Sequence, residues 1–357
     1  MTIFGTRPEI IRLSTVMPLL DSHSDHVMVH TGQNHDPALS EIFFRELGLR
    51  APDHYLDVRA SSFAEQAAKI LARTDELLIQ HKPDRVLILG DTNSALSSIV
   101  AKRRGIPVFH MEAGNRCFDD RVPEEINRRI IDHASDVLLP YTESSRANLL
   151  REGIPSRRIF VTGNPIYEVL HAFDGAIEDS NPLERLGLTP RGYVLVTLHR
   201  AENVDDPERL QRFIAAFRLL ASSCQVPVVV STHPRLRARM GNTDLTSGDV
   251  RFMPPFGFFE FVKLQKNARC VATDSGTVQE EATILRVPVV TLRDVTERPE
   301  TLENGANTLT GADPERIVSA VGAAVELGTT WSMPAGYTES GVSRAVVRLV
   351  TGYWHKD

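Results

Sequence analysis

Between Ala268 and Pro299 the chain reads ARCVATDSGTVQEEATILRVPVVTLRDVTERP, and no other stretch limits its fold so tightly. Cys270–Thr273 is a short apolar run, and Asp274-Ser275-Gly276-Thr277 is a turn with a cap residue and backbone donors. A helix is expected from about Val278 to Leu285, and a second buried strand over Val287–Leu292. This is a βαβ unit, so a parallel sheet is implied. Its chemistry lies at the loop, because N–H groups at a helix N-terminus attract anions and the helix dipole adds to the attraction. Ser275, Gly276 and Thr277 are therefore expected to cradle a diphosphate. Glu280 and Glu281 fall in the first turn. For Glu280, capping and dipole stabilisation compete evenly with a functional role. Glu281 is read as a ligand, since a carboxylate near a phosphate site suits ribose hydroxyls. The charged loop from Arg293 to Glu300 follows a buried strand directly, which favours function over a solvated surface loop.

The same grammar recurs along all 357 residues. Met1–Phe4 reads as a strand running into Gly5-Thr6-Arg7-Pro8-Glu9, then a helix from Glu9 or Ile10 to about Leu20. Arg7, at a strand end before a helix, is placed for a phosphate, with a surface arginine as the plainer reading. Strands are expected at 26–30, 85–89, 107–110, 136–141 and 158–162, with helices at 39–47, 62–80 and 94–104. Phe63, Ala67, Ile70, Leu71 and Leu78 are taken as the apolar positions of the 62–80 helix. Repeated βα units predict a doubly wound domain with ligands at the carboxyl ends of the strands. Asp91 and Glu112 then point to one rim. Asp91 precedes a helix and could be its cap; glutamate is a poor cap, so Glu112 is the stronger signal. Glu124 and Arg128 are four apart on one helix face, where a plain salt bridge would also explain them.

Thr162-Gly163-Asn164-Pro165 breaks the pattern and marks a linker. A second series follows, with strands at 193–197 and 227–231, a helix at 207–222 and a short helix at 258–264. His199 and His233 each come just after a buried strand, a better placement for function than a lone histidine usually has. Of the phenylalanines at 256, 258, 259 and 261, most are expected in the core and one could stack on a base. The segment Ser343–Trp354 has apolar residues at helical spacing and closes the chain.

Composition narrows the chemistry. The hydrophobic share of 42% and charged share of 24% are those of an ordinary globular protein. A net charge of −6 argues against a nucleic-acid or anionic-membrane partner. The three cysteines, Cys117, Cys224 and Cys270, form neither a zinc pattern nor a disulfide framework, and a reducing cytoplasm fits them. No apolar run is long enough to span a membrane, and Met1-Thr2-Ile3-Phe4 does not read as a signal peptide. There is no G-x-G, hence no dinucleotide fingerprint; no Gly-Lys, hence no P-loop; and no H-E-x-x-H. No metal and no cofactor is expected. Two Rossmann-like halves with a cleft, a phosphate cradle, arginines, carboxylates and histidines suit acid–base chemistry on a substrate with a phosphate leaving group. A transferase and an eliminating isomerase both fit.

Eight motifs occur in order: Gly5-Thr6-Arg7-Pro8-Glu9, Gly90-Asp91-Thr92, Glu112-Ala113-Gly114, Pro123-Glu124-Glu125-x-Asn127-Arg128, Thr162-Gly163-Asn164, His199-Arg200-x-Glu202-Asn203, Asp274-Ser275-Gly276 with Gln279-Glu280-Glu281, and Arg293-Asp294-x-Thr296-Glu297-Arg298-Pro299-Glu300. Together they closely resemble the non-hydrolysing UDP-N-acetylglucosamine 2-epimerase family. The resemblance implies an α/β GT-B fold, two Rossmann-like parallel-sheet domains with an interdomain cleft. Residues 1–164 would form the first domain, joined by a returning helix at 343–357, and residues 165–342 a UDP-binding second domain. It implies inversion at C2 of a UDP-N-acetylhexosamine by elimination and re-addition of UDP. Asp91, Glu112 and Glu124 would be the acid–base groups, with His199 assisting near the diphosphate. Arg7, Ser275 and Gly276 would hold phosphate, Glu281 the ribose and Phe261 the uracil, while Arg128 and Arg298 complete a charged pocket. The family also suggests a homodimer.

The chain departs from the family pattern in four places. Arg12 stands for the usual lysine, keeping charge but changing geometry, and Thr277 for a second glycine. The loop from Asn115 to Val122 is short. Together with Thr31-Gly32-Gln33-Asn34-His35-Asp36, it resembles the branch that epimerises modified sugars for surface polysaccharides, such as UDP-2,3-diacetamido-glucuronate. Asp36 replaces a glutamine of the family's allosteric UDP-N-acetylglucosamine site. A glycosyltransferase, a hydrolysing epimerase and a sugar-nucleotide sensor are the competing classes.

Overall fold

Every strand of the structure, a computed structural model, runs parallel to its neighbours in one of two six-stranded sheets. Residues 1–33, 37–60, 62–240 and 249–353 are described. The chain divides into two units, Met1–Ala172 with Ala335–Asp357, and Phe173–Pro334. In the first unit the strands are β1 (Thr2–Phe4), β2 (Met28–His30), β3 (His54–Tyr55), β4 (Val86–Leu89), β5 (Val108–Met111) and β6 (Val137–Leu139). Their spatial order is β3-β2-β1-β4-β5-β6. The second unit contains β7 (Val194–Leu198), β8 (Val228–Thr232), β9 (Val250–Met253), β10 (Cys270–Thr273), β11 (Val289–Thr291) and β12 (Asn307–Leu309), in the order β12-β11-β10-β7-β8-β9.

Both faces of these sheets carry helices, so the central strands are apolar throughout rather than alternating. Val86, Leu87, Ile88 and Leu89 are all buried, as are Val194, Leu195, Val196 and Leu198. The order of each sheet reverses once, between β1 and β4 and again between β10 and β7. Such a reversal leaves a crevice beyond the carboxyl ends of the two strands, and ligands of doubly wound sheets bind there. The strands at these two points run into Gly5-Thr6-Arg7, Gly90-Asp91, His199-Arg200 and Asp274-Ser275-Gly276.

Several elements differ from expectation. The long first helix is two, Arg7–Leu13 and Met17–His23. Pro18 lies in the first turn of the second, where its missing N–H costs nothing; inside a continuous helix it would remove a hydrogen bond. Ser14 ends the first helix, its N–H and Oγ both donating to the Ile11 carbonyl. The 94–104 segment opens as a 3-10 turn, Asn93–Ser97, before the α-helix Ser98–Arg103. In place of a strand at 158–162 there is a single bridge between Leu138 and Ile159. Phe63 is exposed rather than part of the apolar face. The final helix is Val342–Gly352, burying Val342, Val346, Val347 and Val350 within the first unit. Arg85 Nη2 donates to the Tyr353 carbonyl beyond it at 2.9 Å. Asp36 and the part of the returning helix at 354–357 lie outside the described residues.

Candidate active site

In the first unit the strand ends bring a set of charges together. Gly5 closes the β1 turn where only a hydrogen fits, since a Cβ there would lie 2.0 Å from Thr31 Oγ1 and 2.4 Å from Ser94 Oγ. The helix Arg7–Leu13 then starts with Thr6 as its cap residue. Glu9 turns back on this turn: its Oε2 accepts from the N–H groups of Gly5 and Thr6 and from Thr6 Oγ1. Its Oε1 accepts from Thr92 Oγ1 at 3.1 Å, which ties the β1 turn to the β4 turn. Burial pushes the Glu9 carboxyl up to about 7, against four hydrogen bonds that favour its charge. One turn along the helix from Pro8, Arg12 is buried, with its guanidinium 5.8 Å from the Tyr141 ring. It forms an ion pair with Glu112, which follows β5 and is itself buried. Glu112 has φ +65°, a left-handed backbone that a non-glycine residue adopts only when its surroundings enforce it.

Asp91 does not cap the following helix; Thr92 holds the cap position. Its Oδ2 instead accepts from Arg128 Nε at 2.9 Å and stands 2.7 Å from Arg128 Nη2. Arg128 lies on the helix Pro123–Ala134 and is buried. Its Nη1 donates to Glu125 Oε2, three residues back on the same helix, at 2.7 Å. Asn127 Nδ2 donates to the Asp91 carbonyl and to Asn93 Oδ1. Glu124 is half-buried in the first turn of this helix. Arg7 is half-buried, its guanidinium 5.9 Å from the Phe43 ring.

The second unit gathers its own set. His199 Nδ1 lies 2.9 Å from Asp274 Oδ1, and Asp274 Oδ2 accepts from the N–H groups of His199 and Arg200 and from Asn203 Nδ2. Burial alone would raise the Asp274 carboxyl, but the His199 charge and these hydrogen bonds overcome it and hold the group well below the usual carboxylate range. Asp274 serves as the orienting partner of a histidine, and the cap residue of this turn, before the helix Gly276–Ile284, is Ser275. Its position at a strand end beside His199 is fixed by the pairing of Thr197 with Thr273 across β7 and β10. The His233 ring lies 5.4 Å from that of His199, and His233 Nδ1 accepts the N–H of Arg235.

Ser275 and Thr277 are half-buried at the helix start, and Gly276 is packed so closely that a Cβ would meet Glu297 Oε1 at 2.5 Å. The first N–H groups of any α-helix lack intrahelical acceptors, so this end offers donors to an anion. Glu280 is buried and accepts from Arg298 Nε, and Glu281 is buried and accepts from Gln265 Nε2 at 2.7 Å. Phe261 is half-buried against the core beneath. The loop from Arg293 to Glu300 is not a solvated surface: Arg293, Glu297 and Arg298 are buried, and Arg293 Nη1 donates to Glu297 Oε2 at 2.7 Å. Gln265 carried no signal in the sequence, since it acts through Glu281, a partner on another element.

The two sheet orders and their polar turns define an α/β enzyme of the GT-B architecture. The family model described as UDP-N-acetylglucosamine 2-epimerase matches residues 20–351. A UDP-N-acetylglucosamine 2-epimerase of Methanocaldococcus jannaschii is 40% identical over 98% of both chains. A UDP-2,3-diacetamido-2,3-dideoxy-D-glucuronate 2-epimerase of Pseudomonas aeruginosa is 37% identical over 92% of both. The solved structure of the M. jannaschii UDP-GlcNAc 2-epimerase in complex with UDP-GlcNAc and UDP superposes with a TM-score of 0.92, at 38% identity over 98% of both chains. The chain belongs to the UDP-N-acetylglucosamine 2-epimerase family, a family of isomerases. Among the described residues no helix is long and apolar enough to cross a membrane.

Proposed function

We propose that this chain inverts C2 of a UDP-N-acetylhexosamine without hydrolysing it, interconverting UDP-N-acetylglucosamine and UDP-N-acetylmannosamine or a modified pair. One observation carries the chemistry beyond family membership. Asp91 and Glu112 follow the adjacent strands β4 and β5, and each carboxylate rests on a buried guanidinium, Arg128 and Arg12. C2 of such a sugar is not next to a carbonyl, so its proton is not acidic. Elimination answers this: a base takes the C2 proton, the C1–O bond breaks, and UDP leaves with the bonding electrons. UDP oxygen then returns to C1 of the glycal while a proton is delivered to the opposite face of C2. The route needs proton-moving groups for both faces and a UDP that never departs. Asp91, Glu112 and Glu124 take the first role. Arg7, Arg12, Ser275, Gly276, Thr277, Arg128, His233 and Arg298 hold the charged parts of the substrate, Glu281 the ribose and Phe261 the uracil. His199, oriented by Asp274, assists at the diphosphate.

The working molecule is read as a cytoplasmic homodimer that serves polysaccharide synthesis. Phe118, Ile126 and Ile130 support the dimer: they are 68%, 50% and 41% exposed, and the two isoleucines share one helix face. The similarity to the diacetamido-glucuronate enzyme supports a modified sugar as substrate.

Proton NMR of the protein with UDP-N-acetylglucosamine in D₂O tests the function. Deuterium at C2 together with the mannosamine nucleotide is the expected result. Free UDP with free sugar would replace it by a hydrolysing reaction. If UDP-N-acetylglucosamine is inert, exchange with UDP-2,3-diacetamido-glucuronate or with another modified sugar nucleotide, UDP-2-acetamido-2,6-dideoxy-L-talose, is expected, and inertness of all three would overturn the reading.

A further inference from the structure

A histidine–carboxylate pair lies beneath the strand ends that carry Asp91 and Glu112. His110 is the third residue of β5 and Asp132 sits on the helix Pro123–Ala134; both are buried, at 1% and 0% exposure. His110 Nε2 is 2.9 Å from the Gly90 carbonyl oxygen, and Nδ1 is 2.8 Å from Asp132 Oδ1. A carbonyl can only accept, so Nε2 carries a hydrogen. Burial raises the Asp132 carboxyl, but its hydrogen bond with His110 and the charges of His110 and Arg116 outweigh this and lower it. Its second oxygen accepts the N–H of Gly114 at 3.2 Å and stands 2.8 Å from Arg116 Nη2. The ring therefore bridges the Gly90 carbonyl and Asp132, with one bond to each.

We propose that His110 is a positioning residue for the epimerisation: bridging the Gly90 carbonyl and Asp132, it holds the two turns that present Asp91 and Glu112. The inference rests on the acid–base reading of those two residues. Gly90 and Glu112 both have left-handed backbones, with φ +73° and +65°. Glycine takes such a backbone freely, but a glutamate held there depends on contacts from outside. His110 restrains the first turn at the Gly90 carbonyl, one residue before Asp91. Through Asp132 it restrains the second at the Gly114 N–H, two residues after Glu112. Arg116 extends the pair to Glu152, with Nε 2.8 Å from Oε1, and His133 Nε2 lies 3.7 Å from Glu152 on the outer side. Replacing a histidine that merely filled the core would cost stability alone.

Two measurements on the full chain test this. ¹⁵N NMR of histidine-labelled wild type is expected to show a hydrogen on Nε2 of His110, the nitrogen that donates to the Gly90 carbonyl, assigned by comparison with His110→Gln. His110→Gln and Asp132→Asn are expected to lower kcat for C2 epimerisation about 100-fold, the loss that follows when an oriented group is misplaced by about 1 Å. KM for the UDP-sugar and the affinity for UDP should hardly move, because neither substitution touches the residues assigned to UDP. A His110 ring with no hydrogen on Nε2 overturns the proposal. So does a folded His110→Gln enzyme with wild-type kcat, or one that loses kcat and UDP affinity together with thermal stability. If both variants fail to fold, the ring measurement on wild type decides. A wild type that exchanges no deuterium with any UDP-sugar defeats the functional reading, whereas an active wild type with an indifferent His110→Gln defeats this inference alone.

Discussion

Asp91, Glu112 and Glu124 differ in how far the sequence alone could read them. The strand-end position of Asp91 and Glu112 was legible from hydrophobic runs, because a buried parallel strand ends where its apolar residues end. Whether Asp91 was a cap was not legible: a cap and an ion pair use the same carboxylate, and only the approach of Arg128 from another element separates them. Arg128 also reaches Glu125 on the buried side of its own helix, through Nη1. The link from Asp274 to His199 was hidden in the same way, since His199 comes from the turn after β7 and not from the helix that follows Asp274. Substituting Asp91→Asn, Glu112→Gln or Glu124→Gln should each lower turnover by about 10² to 10⁴, the usual contribution of a positioned acid or base. UDP affinity, read by calorimetry, should be nearly kept. Full turnover in all three variants would remove the acid–base assignment.

At the scale of elements, the first strand, turn and helix are stapled by one side chain. Glu9 joins the Gly5–Thr6 turn to Thr92, and burial raises its carboxyl from 4.5 to about 7. Because the folded-state value lies above the unfolded one, the native state holds this proton more tightly across that interval. The contribution to stability is complete below about 4.5 and is lost as pH rises through about 7. Glu9→Gln mimics the neutral carboxyl and keeps an acceptor for the backbone N–H groups. Its urea midpoint should therefore improve relative to wild type between pH 5 and pH 8, and parallel curves for the two proteins would show that Glu9 does not titrate there. Element boundaries were less legible than element types. The division of the first helix at residues 14–16 turns on Pro18 and Ser14, two residues whose local preferences compete with a continuous apolar face. The short β3 and the missing strand at 158–162 reflect edge positions, where a few backbone hydrogen bonds decide pairing and the side-chain pattern says little.

At the scale of the molecule, an exposed apolar face on the first unit has a testable consequence. Ile126→Asp combined with Ile130→Asp should convert a dimer into a monomer by size-exclusion chromatography with light scattering, and a wild type already monomeric at working concentration would refute the assembly. The sequence by itself determined the parallel α/β class, two series of βα units, the polar turns after each strand and the family. All of these are carried by local patterning: apolar runs of strand length, turn residues that end them, and motifs that lie within a few residues. Tertiary structure decided which strands stand at the two points where sheet order reverses, and so which turns face one another. It also decided the partners: Arg12 with Glu112, Arg128 with Asp91, His199 with Asp274, Gln265 with Glu281, and His110 between Gly90 and Asp132. The physical reason is that a buried charge must find its counter-charge wherever the fold places one, and separation along the chain carries no record of that meeting.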